Sequence, residues 1–321
     1  MVGDDYEEYG VCMKKVIFIG GTAYSGSTFF DMTLANDPKG FSLGEVFALF
    51  YPYRKKHLDI ETLDNDVDWQ AIKKSGTKNL YLNIFDKFPE VEFIVDSSKS
   101  QLWIHDRTIE LKAAGIDVKN ILIWKEPAEF QKSMKKRNED YKWVKSWVNY
   151  HKYYVEMVKD WRSVRYSDFA QKKETLRKLC EVLEIDYFEG KEKFWEKKQF
   201  TLYGNTSAKI HLFDEKTNDY DKHQHYLEER VPSTIIEEGQ HVGQKHRKIY
   251  YDKTDGENNG RYLTDPRFKS YLDILQYLDI NNQDIDFDNL KGMKKNISVD
   301  FLYKMGQIAK LKVFGHFTNK L

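Results

Sequence analysis

Short apolar runs alternate with helix-periodic stretches along the first 190 residues. Lys15-Val16-Ile17-Phe18-Ile19 ends at Gly20-Gly21 and reads as a buried strand, with a helix expected from about residue 27 to 35. Residues 92–95 and 120–124 repeat the short apolar pattern, and 161–166 is a further strand candidate. Helices are expected over 102–114, 130–137, 141–158 and 168–183. The third carries one apolar stripe of Val144, Trp147, Val148, Tyr154, Val155 and Val158, so Trp143, Trp147 and Tyr154 read as core. Strands alternating with helices imply parallel pairing through crossover helices, with ligands at the carboxyl ends of the strands. Residues 213–262 are polar and poor in apolar clusters, and helical periodicity returns over 268–278 and 299–313. The expected organisation is an extension over 1–14, an α/β core over 15–210, a polar lid or insertion over 211–262, and C-terminal helices over 263–321 packing back on the core.

Composition narrows the class. The 321 residues carry 51 Lys+Arg against 51 Asp+Glu, so a broad polyanion-binding surface is not expected and nucleic acid is excluded as a partner. An aromatic content of 15% rules out a disordered chain despite 32% charged residues. Cys12 and Cys180 do not form a disulfide framework or a metal-ligand spacing. The acidic start lacks a signal-peptide pattern, and no run approaches a membrane span. A reduced, cytoplasmic setting is therefore the expectation, with the sequons at Asn205 and Asn296 incidental and oligomeric state open.

The most informative stretch is Gly20-Gly21-Thr22-Ala23-Tyr24-Ser25-Gly26-Ser27-Thr28, lying between strand and helix. Counted from Gly21 it has the glycine spacing of a nucleotide phosphate loop, but Ser27 stands where such a loop has lysine. That removes the main cation for a triphosphate, while backbone N–H groups and a helix N-terminus remain available to a smaller anion. The plain alternative is an ordinary strand-to-helix turn punctuated by glycine and serine.

At this point the sequence resembles the sulfotransferases that use 3′-phosphoadenosine 5′-phosphosulfate (PAPS), nearest to bacterial and tyrosyl-protein types. Ser25-Gly26-Ser27-Thr28 matches the hydroxyl-rich end of their 5′-phosphosulfate loop, with Tyr24 at the usual Arg or Lys and Ala23 at the usual proline. A second signature, a strand ending in Arg-x-Pro with Ser eight positions after the Arg, is matched by Trp124-Lys125-Glu126-Pro127 and Ser133. The resemblance implies that Lys125 and Ser133 bind the 3′-phosphate, Lys125 without the bidentate fork of arginine. Val95-Asp96-Ser97-Ser98-Lys99 resembles the family's Asp-x-Ser-Lys segment. Arg165-Tyr166-Ser167-Asp168-Phe169 is similar to the segment whose tyrosine lies near adenine, Phe29 being the other stacking candidate. Gly204-Asn205 with Lys209 stands where bacterial members close over the nucleotide.

The resemblance implies an α/β, P-loop-like three-layer fold, with a central parallel sheet flanked by helices and an irregular and helical C-terminal region. It implies PAPS as donor, PAP as product and a small-molecule acceptor. Sulfuryl transfer needs a base for the acceptor's proton and cations for the charge that builds on the sulfuryl and bridging oxygens. Glu45, in Leu43-Gly44-Glu45-Val46, is the expected base, its alternative being a carboxylate that satisfies N–H groups at a helix start. Lys99 is the expected cation, replacing the charge missing at Tyr24. Tyr24, Ser25, Gly26, Ser27, Thr28, Lys125, Ser133 and Tyr166 complete the expected donor site, with Ser27 and Thr28 on the 5′-phosphate. His105 and Arg107 read as surface or supporting residues. His211, His223, His225, His241 and His246 read as lid residues rather than metal ligands, because no accompanying Cys or carboxylate spacing is evident. Two other functions fit the residues: a P-loop nucleotide kinase, and a non-catalytic nucleotide-binding protein on a degenerate sulfotransferase scaffold.

Overall fold

The computed structural model describes residues 13–54, 57–60, 67–209, 212 and 261–295. The histidines at 211, 223, 225, 241 and 246, the expected helix over 299–313 and most of the expected lid lie outside them.

Strand β1 (Lys15–Gly20) runs into the glycine loop and helix α1 (Ser27–Leu34). Then come β2 (Gly40–Gly44), α2 (Phe47–Phe50), α3 (Trp69–Ser75), α4 (Leu80–Lys87), β3 (Phe93–Asp96) and α5 (Gln101–Ala113). Strand β4 (Asp117–Trp124), α6 (Pro127–Lys135), α7 (Trp143–Met157) and β5 (Trp161–Arg165) follow. Helices α8 (Tyr166–Gln171), α9 (Lys173–Leu183), α10 (Thr206–Lys209), α11 (Pro266–Tyr277) and α12 (Phe287–Lys295) complete the described chain. The single helix expected over 168–183 is two, because Lys172 is extended between them.

All pairings in the sheet are parallel, in the order β2-β3-β1-β4-β5. Successive residues of a strand face opposite sides, so a strand covered on both faces is apolar throughout. In β1, Val16 and Phe18 join one core with Trp103, Trp147 and Leu272, while Ile17 and Ile19 join a second with Phe29, Phe169 and Leu179. Helices α4 to α7 and α11 cover the first face, and α1, α8 and α9 cover the second. The result is a three-layer α/β fold. Trp143, Trp147 and Tyr154 are buried in the first core.

Strand β2 has no counterpart in the expected strands, since a five-residue segment with glycine at both ends reads as a loop. Its residues are nevertheless all buried, and it forms the sheet edge beside β3. Both edges are extended by single bridges, Gly44 to Leu202 and Ser163 to Asp279. Such additions cover exposed backbone polar groups. Gly44, at φ 71°, lies so close to the Leu202 backbone that a Cβ would collide with it. The central position of β1, with β3 on one side and β4 on the other, gathers three strand-end loops into one crevice. This is where an open parallel sheet binds ligands.

Candidate active site

The loop after β1 turns through Tyr24, held in the left-handed region at φ 67°, and Gly26 at φ 93°. A Cβ on Gly26 would strike the Tyr166 ring, so glycine is required both for the backbone and for the approach of Tyr166. The Ser25 hydroxyl is fully buried without a hydrogen-bond partner, and Ser27 and Thr28 are buried at the start of α1. The Thr28 hydroxyl accepts from the Asn205 N–H at 3.0 Å, and Gly204 packs against the same side chain. Gly204-Asn205 thus closes on the start of α1.

One cationic pole forms on the β3 side. Asp96, at the end of β3, accepts from the Ser98 N–H at 2.7 Å, the Tyr81 hydroxyl at 2.6 Å and the Trp103 indole at 3.0 Å. Its burial still raises the carboxyl above its ordinary pKa despite these donors. These bonds turn the chain so that Lys99 sits at φ 63°, a conformation costly for a residue with a side chain. Lys99 Nζ then reaches Ser27 Oγ at 3.2 Å and Glu45 Oε1 at 2.5 Å. Glu45 Oε2 accepts from the Tyr53 hydroxyl at 3.0 Å, and the Glu45 N–H donates to Leu202 O at 3.0 Å. The Ser98 hydroxyl accepts the Phe47 N–H at the start of α2. Glu45 and Lys99 thus form an ion pair, both side chains being about 85% buried, at 13% and 15% exposure.

The other pole lies on the β4 side. Lys125 Nζ donates to Ser133 Oγ at 3.2 Å and stands 4.5 Å over the Tyr166 ring, with 9% of the residue exposed. Burial pushes its ammonium down to about 8, with Arg137 and Lys136 adding to the fall and Glu129 opposing it. Pro127 opens α6, and a reciprocal cap between Glu126 and Glu129 fixes its first turn. Tyr166 is half-buried, whereas Phe29 is fully buried among Phe169 and Phe194 and is core. Of the two stacking candidates, Tyr166 alone faces the crevice side of Lys125.

Three residues support these poles without having stood out in the sequence. The Tyr150 hydroxyl accepts from the Gly21 N–H and donates to Lys99 O, both at 2.7 Å, clamping the loop to the Lys99 turn. The Arg137 guanidinium lies 3.9 Å from the Tyr24 ring centroid and donates to Ser133 O at 3.0 Å. Tyr53 is the third. Arg137 had a detectable signal, since it follows Ser133 by four residues, one helical turn. Arg107, by contrast, is held by Thr77 O and Glu110 away from the loop.

No family model matches the chain, and no curated protein matches it. Several solved structures resemble it, two sulfotransferase domains among them. A sulfotransferase domain from the curacin biosynthetic pathway has 16% identity and a TM-score of 0.44 over 59% of this chain and 80% of that one. The sulfotransferase domain of the Synechococcus PCC 7002 olefin synthase has 16% identity and a TM-score of 0.45 over 66% and 83%. The chemistry open to this chain is set by the residues of its own crevice. Those comprise a buried hydroxyl loop, a lysine-paired carboxylate on one side and a desolvated lysine with a serine on the other. Among the described residues no cluster of His, Cys, Asp and Glu is arranged to hold a metal ion, and no helix is long and apolar enough to cross a membrane.

Proposed function

We propose that the chain is a sulfotransferase that takes a sulfuryl group from PAPS and passes it to a hydroxyl or amine of a small-molecule acceptor. One observation carries this reading: Glu45, Lys99 and Ser27 form a hydrogen-bonded chain beside the loop, while Lys125 and Ser133 form a second cationic site across it. A donor with phosphate at two positions of one nucleoside needs two such sites. The residues fit it. The orphaned Ser25 hydroxyl and the N-terminus of α1 suit the 5′-phosphosulfate, Lys125 and Ser133 the 3′-phosphate, and Tyr166 the purine face. A lysine within the loop, which a triphosphate demands, is replaced by Ser27.

The donor supplies an activated sulfur. In the proposed step the acceptor oxygen or nitrogen forms a bond to sulfur as the bond from sulfur to the 5′-phosphate oxygen breaks, and PAP leaves. Glu45 takes the acceptor's proton on the oxygen now held by Tyr53, while its other oxygen stays on Lys99. Lys99 holds Glu45 in place through their ion pair and faces the charge that develops near Ser27.

The test is calorimetric titration with PAP and with Mg-ATP, followed by mass spectrometry of a metabolite extract incubated with PAPS. PAP binding and a sulfated product are expected, and binding of Mg-ATP with none of PAP refutes the reading in favour of a kinase. Glu45→Gln should abolish transfer and leave PAP affinity in place, whereas PAP binding without any sulfated product marks a non-catalytic nucleotide-binding protein.

A further inference from the structure

The carboxylate proposed as the base already holds a hydroxyl of its own chain. Tyr53, just after α2, donates to Glu45 Oε2 at 3.0 Å, Glu45 Oε1 accepts from Lys99 Nζ at 2.5 Å, and Lys99 reaches Ser27 Oγ at 3.2 Å. A continuous hydrogen-bonded chain thus links the Tyr53 phenol to the loop after β1. Neighbouring rings keep the phenol there. Its ring centroid lies 4.3 Å from that of His57 and 6.4 Å from that of Phe47, and His57 rests in turn 5.0 Å from Tyr203. Yet 47% of Tyr53 is exposed, so its position beside a buried ion pair is not one that core packing imposes. Other tyrosines around the crevice turn their hydroxyls elsewhere: Tyr150 to the Gly21 N–H and Lys99 O, Tyr24 to Glu139, and Tyr81 to Asp96. Tyr53 presents its proton to the group that would take one from an acceptor.

We propose that the chain sulfates its own Tyr53 when PAPS is bound and no other acceptor fills the site. The inference rests on the PAPS reading and adds a protein acceptor, in cis, to the small-molecule one. Tyr53 Oη forms a bond to sulfur as the bond from sulfur to the 5′-phosphate oxygen breaks. The phenol proton passes to Glu45 Oε2, PAP leaves with the electron pair of the broken bond, and PAPS is the sole co-reactant. Burial and the neighbouring Glu45 carboxylate hold the phenol above its ordinary value of about 10, so it keeps its proton until the new bond forms, and transfer needs a base in contact. The product limits itself. An esterified oxygen has no proton to donate to Glu45, and the sulfate sets a negative charge beside that carboxylate, so like-charge repulsion drives the modified ring away. One sulfuryl group per chain is the expected end point.

The experiment incubates the purified full chain with PAPS and no added acceptor, follows the intact mass with time, and locates the group by peptide fragmentation. A gain of one SO3 per chain is expected, on Tyr53, at a rate per chain that does not change on dilution. Tyr53→Phe, which keeps the ring and removes the nucleophile, should show no gain, and Glu45→Gln should slow it about a hundredfold or more, the scale of a lost general base. Calorimetric titration with PAP and melting curves check that both variants keep the donor site and the fold. Wild type that binds PAP and sulfates a component of a metabolite extract, yet keeps its own mass, overturns this proposal alone. A gain on another residue, or one retained in Tyr53→Phe, also overturns it, and a rate per chain that rises with protein concentration overturns transfer in cis. PAP binding with neither product refutes the transferase reading as well, and failure of wild type to bind PAP refutes the PAPS reading beneath both.

Discussion

The proposed donor site predicts a measurable dependence on pH through Lys125. Burial lowers its ammonium to about 8, with Arg137 and Lys136 acting in the same direction. Bound phosphate favours the charged form, so binding recruits a proton wherever the free lysine has lost one. The phosphate contributes little to this change above neutrality, since its second ionisation lies near pH 6. With a midpoint of about 8, roughly a tenth of the free protein has neutral Lys125 at pH 7, half at pH 8 and nine-tenths at pH 9. PAP affinity should therefore fall about tenfold from pH 7 to pH 9, or about 1.4 kcal/mol.

Calorimetry in buffers of different ionisation enthalpy reads the proton directly. Uptake should rise from about 0.1 proton per PAP at pH 7 to about 0.5 at pH 8. Lys125→Met should bind PAP weakly at every pH and show neither the uptake nor the slope. Wild-type affinity that stays flat from pH 7 to 9, with no proton uptake, refutes the claim that a desolvated Lys125 meets the donor.

Two further predictions concern groups behind and beside the site. Asp31 on α1 is fully buried, accepts from the Ser42 hydroxyl at 2.6 Å, and is pushed up to about 7 mainly by burial. The folded chain therefore holds this proton more tightly than the unfolded one, and the contribution to stability declines as pH rises from about 4 to about 7. Asp31→Asn should flatten that decline, gaining relative to wild type between pH 5 and 8 in urea unfolding; an unchanged difference between the two proteins contradicts it. Tyr150→Phe removes two 2.7 Å bonds, to the Gly21 N–H and Lys99 O, each worth about 1 kcal/mol net. Once an acceptor is known, kcat is expected to fall about tenfold with PAP affinity changed less, while wild-type kcat in this variant removes Tyr150 as the residue that positions Lys99.

Much of the fold was legible in the sequence because both faces of the central strands are covered. Val16 to Ile19 and Ile121 to Trp124 then become unbroken apolar runs ending in loops. Strand β2 escaped notice because its two glycines break such a run, although the second is needed for the bridge to Leu202. The candidate site was legible where a strand end fixes residues in local order, as at Gly21 to Thr28 and Lys125 to Ser133. Tyr150 sits within a helix whose stripe announces only core, and its role depends on two loops 51 and 129 residues away. No local pattern encodes a meeting of that kind.

The balance of 51 cations against 51 anions gains a physical meaning from this arrangement. Long-range charge contributes little to drawing an anion toward a neutral chain, so recognition must come from cations kept close and partly dehydrated. In the proposed site Lys99 is kept close by a left-handed backbone turn and a carboxylate partner, and Lys125 by burial against Tyr166 and Ser133. Each arrangement carries a local cost, in a left-handed lysine or in a lowered ammonium pKa. A bound polyanion offsets the pKa cost directly, which makes the empty site less stable than the filled one. Saturation at a hundred times the dissociation constant should add about 2.7 kcal/mol, enough to raise the melting temperature by about 5 °C in a chain of this size. Lys125→Met relieves the buried-charge cost in advance, so it should melt above wild type without ligand and gain less from PAP. A lower melting temperature for the empty variant would show that Lys125 is held for the fold rather than for the anion.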